Sequence, residues 1–143
     1  MDAERRLLFR QGALLLFVSV LIGLVVAAQA PHVVKWRTAH VSGLMTGLLL
    51  IGFGALWPEI RLSDRARRIA VRLGLVASWL ALALNVFSAL VDFPGPASDP
   101  GRQPDVAWQM AVFFGGLAIV VPSTLVSFFL VWKGLWGEKR ASG

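Results

Sequence analysis

The chain has 143 residues, of which 57% are hydrophobic and only 15% charged, with a mean hydropathy of +0.70. A water-soluble domain carries about 25% charged residues, and here the apolar residues are gathered into blocks, so composition places the chain in a bilayer. The net charge of +6 is spread over the block ends, which argues against a nucleic-acid face; the lack of cysteine excludes disulfides, thiolate metal sites, thiol catalysis and haem attached through C-x-x-C-H.

Four apolar stretches reach the length of about 17–25 residues that a membrane-crossing helix needs. The first covers residues 11–30 and follows Arg5, Arg6 and Arg10. Its end, Ala28-Gln29-Ala30, resembles a signal-peptide cleavage site, but Pro31 directly after it disfavours cleavage. Losing the segment would also leave three spans and split the basic clusters across the membrane. The first span is therefore expected to be retained. The second covers residues 39–57 and is ended by Pro58. A basic connection follows, with Arg61, Arg65, Arg67, Arg68 and Arg72, in which Ser63 or Asp64 can cap a turn. The third span covers residues 69–91. A loop rich in proline and glycine, residues 92–105, leads to the fourth span, residues 106–132, where Pro122 predicts a kink. Lys133, Lys139 and Arg140 close the chain.

The blocks are continuous rather than alternating and rich in Leu, Ala and Gly, which indicates helices and not a barrel. None has Asp, Glu, Lys or Arg in its middle. Connections are short, so consecutive helices are antiparallel neighbours. The predicted fold is an all-α, integral membrane, four-helix up-down bundle forming one domain. Eleven of the fourteen basic residues fall on one side, leaving Lys35, Arg37 and Arg102 on the other. The positive-inside rule then places both termini in the cytoplasm, as in a multi-pass protein of a bacterial-type inner membrane. Trp36, Trp57, Trp132 and Trp136 lie at block ends, where indoles favour the headgroup region.

Chemistry inside the bundle rests on few residues. His40 opens the second block, and an ionisable group at membrane depth is a functional-site hypothesis by default. Gly43 and Gly47 follow at helical spacing on the same face, with Gly54 two turns further. An imidazole above a face without side chains suits a flat ligand, and a neutral imidazole is a good ligand for haem iron. Gly43-x-x-x-Gly47 is equally the small-residue pattern of close helix packing. In that case His40 bonds a carbonyl or reaches water. Asn85, mid-way along the third block, needs a partner worth roughly 0.6–2 kcal/mol, on a neighbouring helix or on a ligand. Thr46 and Ser88 are milder polar groups whose ordinary fate is a bond to the carbonyl four residues earlier. His32 belongs to the first outer loop, where pairing with His40 on one metal stays open. Met45 points away from the His40 face. Trp79, Phe87 and Trp108 line a pocket or fill the core. No Ser-His-Asp set, phosphate-cradling loop or zinc cluster exists, and no intramembrane charge suggests a pump.

The segment Trp36-Arg37-Thr38-Ala39-His40 resembles the W-x-x-A-H pattern of the styrene oxide isomerases. The similarity continues without a gap through Gly47, Pro58, Asp64, Arg68 and Trp79 to Phe87-Ser88, about a third of the chain. The resemblance implies a four-helix membrane homotrimer. His40 would be the axial ligand of ferric haem b near a subunit interface; the Gly43 and Gly47 face would then lie against the cofactor, and Arg37 and Lys35, by proximity and charge alone, would partner its propionates. It further implies Lewis-acid opening of a small hydrophobic epoxide and a 1,2-shift to the aldehyde, with no electrons consumed. Two positions depart from the family. Thr46 stands where the family has asparagine, and Asn85 where it has tyrosine, the groups held to position the epoxide oxygen. The first outer loop is also shorter. Three readings result: a haem-b isomerase acting on an epoxide or another small oxygenated substrate, with Asn85 and Thr46 facing it; a haem protein for electron transfer or gas sensing; and a non-enzymatic scaffold packed through Gly43 and Gly47.

Overall fold

The first three helices begin earlier than their apolar blocks. In the computed structural model, which describes residues 2–28, 31–93 and 107–137, α1 is Ala3–Ala27, α2 Val33–Leu56, α3 Asp64–Leu90 and α4 Ala107–Leu135. Hydropathy marks only the stretch that matches lipid. The backbone must also bond its terminal N–H and C=O groups, and it does so by carrying the helix into the charged flank. Glu4 and Asp64 sit in the first turns of α1 and α3, where the helix dipole favours a negative charge. Ser63 caps α3, its hydroxyl accepting from the Ala66 N–H at 3.4 Å. A 3₁₀ turn at Trp57–Glu59, with Pro58 inside it, ends α2.

All four helices are long and apolar enough to cross a membrane, and no strand occurs among the described residues. The fold is the expected all-α bundle. The proline-rich loop beyond Phe93, with Arg102, and the basic residues Lys139 and Arg140 lie outside the described residues, as do Gln29 and Ala30.

The start of α1 and α3 and the end of α2 and α4 meet at one end of the bundle. There Arg67 pairs with Asp2 at 3.1 Å and Glu4 at 3.4 Å, and its guanidinium stacks 5.2 Å from the Trp57 ring centre. The Trp57 indole N–H donates to Glu4 at 3.3 Å. Trp57 is therefore only 1% exposed, which corrects the expectation that it anchors in headgroups: its polar edge is satisfied inside the protein. Trp132 and Trp136 at the same end are exposed, as interfacial anchors should be. Arg61 ties the segment after the 3₁₀ turn to the end of α4, its N–H bonding the Gly134 carbonyl at 2.9 Å and its side chain the Gly137 carbonyl at 2.8 Å.

Packing follows small residues. α1 lies closely on α2, α3 contacts both α2 and α4, and α1 reaches α3 more lightly. The Trp79 indole donates to Gln11 at 3.0 Å and joins those last two. α4 turns only a narrow seam inward, at Gln109, Ser123, Ser127, Val131 and Gly134. Ser127 bonds the Ala70 carbonyl of α3 at 2.9 Å. Most other α4 side chains face outward, which suits an apolar helix bathed in lipid. Pro122 lies inside α4 on that outward side.

Candidate functional site

α1 and α2 approach through glycine. A Cβ on Gly12 would meet Ile51 at 2.7 Å and the Gly47 carbonyl at 2.8 Å. A Cβ on Gly47 would meet the Gly12 carbonyl at 2.9 Å and Leu16 at 3.0 Å, and one on Gly43 would collide with the Ser19 hydroxyl. Gly54 faces the Phe9 ring. The stripe below His40 is thus filled by α1. This corrects the expectation that Gly43 and Gly47 offer an open face to a flat ligand: both are buried, and what they admit is a helix.

His40 stands at the upper edge of that contact. Its Nδ1 lies 2.6 Å from the backbone carbonyl of Ser19. A carbonyl can only accept, so Nδ1 carries the proton. In the neutral ring the lone pair then belongs to Nε2, which has no hydrogen-bond partner among the described residues. The ring lies over Gly23, where a Cβ would come within 2.9 Å of Cε1 and 3.0 Å of Nδ1. Sequence reasoning missed Ser19 and Gly23. Their signal was present as a run of small residues on α1, Gly12, Ser19 and Gly23, at seven- and four-residue spacing.

The other polar candidates occupy the opposite flank of α2. Ser42 is two residues after His40, about 200° round the helix. The Asn85 amide of α3 donates to the Ser42 hydroxyl at 3.2 Å and to the Ala81 carbonyl at 2.8 Å. Thr46 bonds back to the Ser42 carbonyl at 2.9 Å and to the Gly43 carbonyl at 3.3 Å. One chain therefore brings Asn85, Ser42 and Thr46 together and leaves His40 apart from them. Between the two flanks, the outward face of α2 forms an open groove of about 490 Å³ lined by Arg37, Thr38, Val41, Ser42, Met45 and Thr46. Thr46 also borders an apolar cavity of about 70 Å³ between α2, α3 and α4, beside Phe53 and Phe128.

Charges near the His40 end are partly committed. Lys35 donates to Asp92 at 2.6 Å, and His32 Nδ1 is 2.9 Å from the same carboxylate. Lys35 is thus engaged with the residue that follows α3. Arg37 is exposed, lines the groove and has no ion-pair partner among the described residues. His32 takes a left-handed φ of 61° as the residue before α2. It lies about 12 Å along the axis from His40, and its Nδ1 is turned to Asp92. No group of three His, Cys, Asp or Glu residues converges on a metal site among the described residues. Trp79 packs against the core, and the Phe87 and Trp108 rings meet edge-on at 5.9 Å, joining α3 to α4.

Known proteins match this chain nearly end to end. A family profile described as styrene oxide isomerase covers residues 4–136. The hydroxylaminobenzene mutase HabB of Ectopseudomonas oleovorans is 25% identical over 131 residues, 89% of this chain and 79% of that protein. No solved structure matches.

Proposed function

We propose, from the premise that this chain belongs to the styrene oxide isomerase family, that it is a membrane isomerase in which His40 holds haem b and which rearranges a small aryl–oxygen compound without net oxidation. The coarser part needs no proposal: the family and the mutase relative mark an enzyme of isomerase or mutase type. The observation that carries the finer part is the state of His40. Its Nδ1 proton is held by a carbonyl and its Nε2 lone pair is unused, which is how proteins prepare an imidazole for a metal. The donor set fits haem in a further respect. The ring is backed by Gly23, so no side chain competes for its place.

When bound, ferric haem supplies a Lewis-acidic site for the substrate oxygen and needs no electrons. The chain supplies the rest. Apolar helix faces exclude water, which would otherwise turn an opening epoxide into a diol. Arg37 offers an unpaired cation for a cofactor carboxylate. Asn85 and Thr46 would orient the substrate. Because they sit on the opposite flank of α2 from His40, a complete site calls for a second copy, and a homotrimer in the inner membrane with cytoplasmic termini is the assembly we propose.

The leading reaction is the 1,2-shift of an aryl epoxide to its aldehyde. The mutase relative acts on hydroxylaminobenzene, as its name states, and favours a second substrate of like shape, an arylhydroxylamine whose oxygen moves within the molecule. The test is the purified chain. It should show a Soret band that His40→Ala abolishes, and should convert deuterated styrene oxide to aldehyde with the label retained, in the absence of oxygen and reductant. A colourless wild-type protein refutes the haem reading. Conversion of hydroxylaminobenzene but not of epoxide selects the second substrate.

A further inference from the structure

We infer that α1 is the positioning element of the ligand: the Ser19 carbonyl and the bare Cα of Gly23 fix the His40 ring as the Nδ1–H tautomer, with Nε2 as the free base. This rests on the reading of His40 as the haem ligand, but two observations carry it independently of any cofactor.

The first is the hydrogen bond. Nδ1 stands 2.6 Å from the carbonyl oxygen, within hydrogen-bonding reach. In lipid no water competes for either group. The acceptor is a main-chain atom of a packed helix and cannot rotate away. The second is the space above Gly23. The ring atoms Cε1, Nδ1 and Nε2 lie 2.9, 3.0 and 3.6 Å from where a Cβ would stand. The imidazole therefore occupies the volume of a missing side chain. Alanine there would clash with the ring and turn it off the carbonyl. The ring would then lose both its proton acceptor and its backing.

Gly43 serves the same seat one turn away. It lets the Ser19 side chain nest against α2, which sets the distance between the Ser19 carbonyl and His40. Ser19 is fully buried and its hydroxyl has no hydrogen-bond partner, so its side chain adds nothing polar to the seat. The main chain does the positioning. Gly23 is thus a positioning residue and not a catalytic one: it acts through His40.

Two measurements decide. The first is nitrogen NMR of the full-length, haem-free wild-type chain in detergent, labelled with ¹⁵N in histidine. His40 should show a protonated Nδ1 and an unprotonated Nε2. An Nε2–H ring overturns the inference. The second is haem titration of Gly23→Ala beside Gly52→Ala, since Gly52 has nothing within 4 Å of its Cβ position. Loss of an outer partner of a ligand costs about 10–100-fold in metal affinity. Gly23→Ala should lose affinity by that factor and shift the Soret band, while Gly52→Ala should titrate as wild type. Wild-type affinity and spectrum in Gly23→Ala overturn the inference. Should Gly23→Ala fail to fold, the tautomer of the wild-type ring decides alone. A wild-type chain that binds no haem refutes the proposed function instead, and leaves the tautomer prediction standing.

Discussion

The two flanks of α2 treat polar groups in opposite ways. On the α3 flank the Thr46 hydroxyl and the Asn85 N–H groups are spent close to home. Thr46 bonds carbonyls of its own helix, and the Asn85 amide divides its N–H groups between Ser42 and its own helix. On the α1 flank the glycines remove side chains, the backbones close in, and an imidazole is held by one nitrogen with the other left over. Buried polar groups in hydrocarbon are stabilised only when bonded. The α3 flank ties its polar side chains to one another and to backbone carbonyls; the α1 flank has a donor atom that calls for something beyond the chain. That asymmetry separates a helix contact from a ligand site, although both carry polar residues at similar depth.

The comparison breaks most sharply at Gly47. Leucine there must displace the Gly12 carbonyl and Leu16, both already at about the distance of closest approach. Overpacking costs about 1–3 kcal/mol, and because the same contact carries the seat of His40, stability and haem binding should fall together. Thermal unfolding in detergent, followed by both aggregation and Soret absorbance, should give one shared and lowered midpoint. A Gly47→Leu chain that melts early but binds haem with full affinity would show that the α1 contact and the ligand seat are independent.

Asn85 sharpens the other side. Replacing it with leucine removes two donated bonds, one of them across to α2. The expected cost is about 0.6–2 kcal/mol. His40 is untouched, so the pigment should remain while the melting temperature drops; turnover of substrate falls by about 100-fold if the amide turns the N–H now held by Ser42 to the reacting oxygen. Retained turnover with lowered stability would make Asn85 a helix fastener only.

Much of this was legible in the sequence. Span number and type follow from apolar blocks, since a membrane helix must be apolar on all sides. His40 stood out because imidazole is rare in such a block, and Asn85 for the same reason. Other features were not legible. The partner of His40 is a main-chain carbonyl, which every residue type carries, so no side-chain pattern reveals it. The glycine stripe was ambiguous in principle, because a bare helix face accepts a ligand or another helix equally well, and only the position of α1 decides. Trp57 looked like an interfacial anchor because the carboxylate that satisfies its indole, Glu4, lies 53 residues away in the chain. Arg67, which covers the ring, belongs to a cluster that reads simply as cytoplasmic charge.

Thr46 offers the smallest effect and the finest distinction. Its hydroxyl proton is directed at the Ser42 and Gly43 carbonyls, so it has no proton left to donate to a substrate. It keeps lone pairs, and it borders both the outward groove and the inner cavity. Thr46→Val preserves shape and removes those two back-bonds. Such bonds compete with the helix's own and add little, so stability should change by no more than about 0.6 kcal/mol. The informative quantity is turnover. A group that only accepts can orient a substrate bearing an O–H or N–H, as an arylhydroxylamine does, but has nothing to offer the oxygen of an epoxide. If Thr46→Val slows rearrangement of hydroxylaminobenzene and leaves that of styrene oxide unchanged, the hydroxyl reads the substrate's own proton, and the replacement of asparagine by threonine at this position marks a change of substrate rather than a loss of function.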